Sequence, residues 1–126
     1  MFKVMPESGD RLLAVEVLRT YSKKDVEAFD QIMDQWMARA GGRLNMLIRL
    51  DRLDLSKVTL DNYIDDCRRA LQRRDNLGRI AVVGDSEMAR SLVTMDNMIM
   101  ANAKRGVTER YFSVEDIDEA WAFVRA

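Results

Sequence analysis

Short runs of alternating or unbroken apolar residues take turns along this chain with longer runs of three-four spacing. "FKVM", Phe2 to Met5, alternates and predicts a short strand. "PESGDR" holds the turn formers Pro6, Gly9 and Asp10, and "LLAVEVLRT", Leu12 to Thr20, predicts a second strand, so the two make an antiparallel hairpin. Ser22 then stands as a helix cap. In the run after it, Val26, Phe29, Ile32, Met33, Trp36 and Ala40 share one stripe, and Gly41 and Gly42 stop it. "RLNMLIRL", Arg43 to Leu50, is apolar at close spacing, as a strand buried on both faces requires.

A loop leads to Thr59, a cap for a helix whose stripe is Leu60, Tyr63, Ile64, Cys67 and Leu71. Its acids, Asp61, Asp65 and Asp66, come early, and Arg68, Arg69, Arg73 and Arg74 come late, as the helix dipole favours. "GRIAVVGD", Gly78 to Asp85, has the unbroken apolar centre of an inner parallel strand. Ser86 caps a methionine-rich helix. "GVTERYFS" predicts the last strand. Ser113 is read as the cap of the last helix, with Asp116 completing a capping box and Val114, Ile117, Ala120, Trp121 and Val124 as its buried stripe. The order ββαβαβαβα predicts an α/β fold: a mostly parallel five-stranded sheet with flanking helices, its first strand antiparallel at one edge. A length of 126 residues fits one domain, 1–126, and no repeat or linker divides it.

Composition narrows the chemistry. The chain has 20 basic and 21 acidic residues, interspersed, so no strong field predicts nucleic-acid binding. Cys67 is the only cysteine, which excludes an intramolecular disulfide and suits a reducing cytoplasm. No apolar run approaches the roughly 20 residues of a membrane span, and "MFKVMPESGD" lacks the apolar run of a signal peptide. Histidine is absent, which removes imidazole-based nucleophile systems and the common zinc sites. No metal and no cofactor is expected, and the role is read as non-enzymatic.

"GRIAVVGD" followed by a helix, then "ERYF", then "DEAWAFVRA", resembles the SpoIIAA-like family of small bacterial proteins over essentially the whole chain. That resemblance implies the fold shared with STAS domains and CRAL-TRIO lipid-carrier domains. STAS domains of the anti-sigma-antagonist kind switch partners through a serine in an Asp-Ser-x-Gly setting after the third strand. The matching stretch here is "LDRLDLSKVTLDNY". It keeps Asp51 and Ser56 but differs in spacing and lacks the glycine, so Ser56 is the phosphorylation candidate that the resemblance leaves.

The methionine-rich helix carries the other functional expectation. Met95, Met98 and Met100 fall within six positions. At the helical repeat, Met88, Leu92, Met95 and Ile99 stack on one stripe, Met98 falls to one side, and Val93 and Met100 to the other. The apolar arc spans about 220° where packing on a sheet needs roughly 100° or somewhat more. Flexible, polarisable methionine suits an adaptable binding surface. The expected site is therefore Leu92, Met95, Met98, Ile99 and Met100, with Leu60 and Tyr63 as opposing wall. It would hold an apolar small molecule or lipid, in reversible contact with the inner membrane surface through headgroup contacts from Arg68, Arg69 and Arg73. The alternative is a STAS-like regulatory interaction module using the same patch. A homodimer is expected as cover for the extra apolar area.

Overall fold

The computed structural model describes residues 2–19, 22–52, 77–85 and 108–126. They form one five-stranded sheet in sequence order: β1 (Phe2–Val4), β2 (Leu12–Val17), β3 (Leu44–Arg49), β4 (Leu77–Gly84) and β5 (Thr108–Ser113). β1 pairs antiparallel with β2, and every other pairing is parallel. The predicted sheet, with its antiparallel edge, is thus the observed one. β2 ends at Val17, short of the expected Thr20, and Arg19 just beyond it takes the left-handed conformation, φ 58°.

Ser8 closes the β1–β2 hairpin. Its hydroxyl accepts from Ala14 N–H at 2.9 Å and donates to Ala14 C=O at 3.2 Å. Helix α1 (Lys23–Ala40) starts as the sequence predicts: Ser22 Oγ accepts from Asp25 N–H, and the Asp25 carboxylate accepts from Ser22 N–H. It ends at Gly41, whose φ of 59° is the left-handed cap that glycine takes without strain. Trp36 Nε1 donates to Gly9 C=O at 3.0 Å and so ties α1 to the hairpin.

Two cores lie on opposite faces of the sheet, because successive strand residues point opposite ways. On one face Phe29, Met33 and Ala40 of α1 pack on Leu13, Val15, Met46, Ile48, Ile80 and Val82. On the other, Ala120 and Val124 of the final helix α2 (Ile117–Arg125) pack on Leu47, Ala81, Val83 and Phe112. The alternation in β3 therefore fills both cores, as its close apolar spacing predicts.

The last helix corrects one expectation. Ser113 makes no side-chain capping bond, and the chain turns through a 3-10 segment, Val114–Asp116, before α2 begins at Ile117. Asp116 therefore precedes α2 instead of sitting in its first turn opposite Ser113, so the expected capping box cannot close. The stripe itself stands: Ala120 and Val124 are buried, and Val114, Ile117 and Trp121 pack half-buried beside them.

Candidate functional site

One row of register partners crosses the sheet on the α2 face: Lys3, Glu16, Arg49, Val83 and Phe112. The row changes character midway. Val83 and Phe112 lie in the α2 core, whereas Lys3, Glu16 and Arg49 alternate in charge. Opposite charges side by side on neighbouring strands attract, so this half of the face is ordered by charge pairing. It sits at the carboxyl ends of the parallel strands, the end where open α/β sheets form their binding crevices.

The residues just past β3 complete the cluster. Arg49 donates from Nε and Nη2 to the two Asp51 carboxylate oxygens, both at 2.9 Å, a bidentate pair with both side chains mostly covered. Arg52 Nη1 stands 3.1 Å from Glu16 Oε1, an ion pair without the alignment of a hydrogen bond. Arg52 is 62% exposed and Glu16 only 13%, so a covered carboxylate is met by a guanidinium that reaches into water. Burial alone would raise the Asp51 carboxyl. The Arg49 bonds and the charges of Arg49 and Arg52 outweigh it and hold the group below the usual carboxylate range. Arg49 is raised in turn, mainly by its bond to Asp51.

Two backbone bonds fix this rim: Arg19 N–H to Arg52 C=O at 3.0 Å, and Leu50 N–H to Val83 C=O at 2.7 Å. The left-handed Arg19 is held at the same place, a conformation that a side chain other than glycine adopts at a cost of about 1 kcal/mol. The next residues after Arg52 lead towards Ser56.

A second feature lies at the opposite, amino ends of the strands. There the backbone slips: Leu44 pairs with Leu77 but Met46 pairs with Ile80, so β4 spends one extra residue. Asn45 fills the gap. Its Oδ1 accepts from Arg79 N–H at 2.8 Å and its Nδ2 donates to Val124 C=O at 2.7 Å. Arg79 Nη1 donates to Phe123 C=O at 3.1 Å. The two donors satisfy carbonyls at the end of α2 that its own ladder leaves open. Beside them runs a groove of about 700 Å³ whose lining includes Arg11, Arg43, Arg79 and Arg125.

The sequence reasoning missed Glu16, Asn45, Arg49 and the groove arginines. Its available signal was a polar residue inside each apolar strand, in "LLAVEV" and "LNMLIR". The residues it did single out, Leu60, Tyr63, Leu92, Met95, Met98, Ile99 and Met100, with Arg68, Arg69, Arg73 and Ser56, lie outside the described residues. Among the described residues no group of acids, histidines or cysteines is placed to hold a metal, and no helix is long and apolar enough to cross a membrane.

A family model described as SpoIIAA-like matches residues 12–125, from the start of β2 to the last residue of α2. No curated protein and no solved structure matches the chain.

Proposed function

The chain belongs to the SpoIIAA-like family, and we propose that it works as a STAS-like regulatory module: a non-enzymatic domain that binds a protein partner through the carboxyl rim of its sheet. The observation that carries this reading is the Glu16, Arg49, Asp51 and Arg52 cluster, ordered by pairing yet open to water at Arg52. Such a surface offers charge complementarity and geometric register to a polar partner. The segment bearing Ser56 follows it directly, so a phosphate added there would bring about two negative charges within a few residues of Arg52.

The test is capture from a lysate of the source cells with three baits: wild type, Arg52→Glu and Ser56→Glu. The proposal expects one polypeptide held in stoichiometric amount by wild type, lost with Arg52→Glu and altered with Ser56→Glu. Capture that is absent, or equal with wild type and Arg52→Glu, defeats it. The apolar-ligand reading makes a different demand. Native mass spectrometry of the wild type would show a co-purified lipid or other apolar molecule, and Met98→Asp would abolish it. A bare double mass would instead assign the methionine-rich surface to a second copy of the chain.

A further inference from the structure

We propose that the arginine-lined groove at the amino ends of the strands binds a phosphate-bearing small ligand. Arg11, Arg43, Arg79 and Arg125 come from four separate places in the chain, before β2, before β3, within β4 and at the end of α2. The fold brings their charges to one concavity. Among the described residues its lining holds no Asp or Glu side chain.

Among the described residues, two negative features stand against these cations. The carboxyl end of α2 counts for about half a negative charge, and a terminal carboxylate on Ala126, which also lines the groove, adds at most one. Arg11, Arg79 and Arg125 alone outweigh these two features, so the described lining is cationic, as an anionic phosphate group requires. The α2 end is moreover already met by Asn45 and Arg79. A guanidinium carries five N–H donors, so the single Arg79 bond to Phe123 leaves others on the same group. Net positive charge and remaining donors, not unpaired residues, make the site.

Two of the guanidiniums are positioned in advance. Arg79 lies 5.3 Å from the centre of the Phe123 ring, and Arg125 lies 4.7 Å from that of Trp121. Stacked arginines lose less freedom on binding than free ones. Leu12 and Val124 give the groove an apolar wall, and its volume falls in the range of small-molecule sites. The ligand class is therefore an organic phosphate. A dissolved phosphate ester and a phospholipid headgroup share that chemistry.

The experiment titrates the full chain with inorganic pyrophosphate in a calorimeter. In parallel it measures co-sedimentation with vesicles of phosphatidylcholine containing phosphatidylglycerol. Both arms are repeated with an Arg11→Ala and Arg125→Ala double variant. These two side chains are exposed, so the variant keeps the fold, as its far-ultraviolet spectrum would verify. Arg79 is left alone because it also closes α2. Pyrophosphate binding that weakens at least about tenfold in the double variant supports the proposal, with a dissolved phosphate as ligand. Vesicle binding alone, lost in the variant, supports it with a headgroup as ligand. No binding in either arm, or equal binding by both proteins, overturns it. Because the groove and the Arg52 rim lie at opposite ends of the strands, either proposal can fail without the other.

Discussion

Asn45 Oδ1 occupies the space that a side chain at position 78 would need: a Cβ built on Gly78 runs into it. The contact joins the register slip of β4 to the end of the last helix, because the same amide side chain serves both Arg79 N–H and Val124 C=O. Glycine is needed at position 78 for room, not for an unusual backbone angle.

Gly78→Ala should therefore destabilise the fold by about 2 kcal/mol, as Asn45 is pushed off one or both partners. Asn45→Ala should cost a similar amount by orphaning those partners. The double variant should cost less than the two together, since the shortened side chain at position 45 makes room for the added methyl at position 78. Urea denaturation of the three proteins measures this, and strict additivity would contradict the steric account.

Acid should weaken the carboxyl rim. Asp51 holds its proton more weakly in the folded chain than in the unfolded one. Its pairing thus adds stability above the unfolded carboxylate value of about 4, and that gain is lost as pH falls through the lower folded value. Asp51→Asn should be clearly less stable than wild type at neutral pH and nearly equal to it at the most acid pH where both still fold. A difference that does not change with pH would remove Asp51 from the acid response.

The alternating row of Lys3, Glu16 and Arg49 predicts a salt-sensitive reversal. Glu16→Lys would set three cations side by side and should cost about 1–2 kcal/mol at low salt. Raising the ionic strength should recover a small part of that loss, because salt screens the exposed Lys3 but reaches the covered positions 16 and 49 less. Thermal melts in low and high sodium chloride provide the check.

Ser22→Ala removes the acceptor for Asp25 N–H and half of the capping box. The expected loss is about 1 kcal/mol. Ser113, by contrast, makes no capping bond with its side chain. Urea denaturation measures the Ser22→Ala loss, and an unchanged midpoint would contradict the cap.

The contrast between those serines shows what was legible beforehand. Ser22 and Asp25 lie next to a long amphipathic stripe, so local spacing alone defines the cap. Ser113 and Asp116 have a similar spacing, but the chain enters α2 from the end of β5 through a 3-10 turn, a tertiary constraint that spacing does not carry. The mostly parallel sheet with its antiparallel edge was legible because short apolar runs in β3 and β4 alternate with helical stripes, as inner strands of an α/β sheet do. The rim and the groove were not, because each gathers residues distant in sequence. Glu16 meets Arg49 and Arg52 only through strand register, and Asn45 meets Val124 across 79 positions. The expected methionine surface lies outside the described residues.

The mixed row on the α2 face also acts as a lateral stop. Sideways travel of α2 towards β1 would bring Ala120 and Val124 off Val83 and Phe112 and over the charges of Arg49, Glu16 and Lys3. Covering these charges with apolar side chains would cost more than an alanine and a valine can return. The sheet thus measures out the berth of its last helix, and the ions that fill one half of the face are the same ones that keep the helix moored on the other.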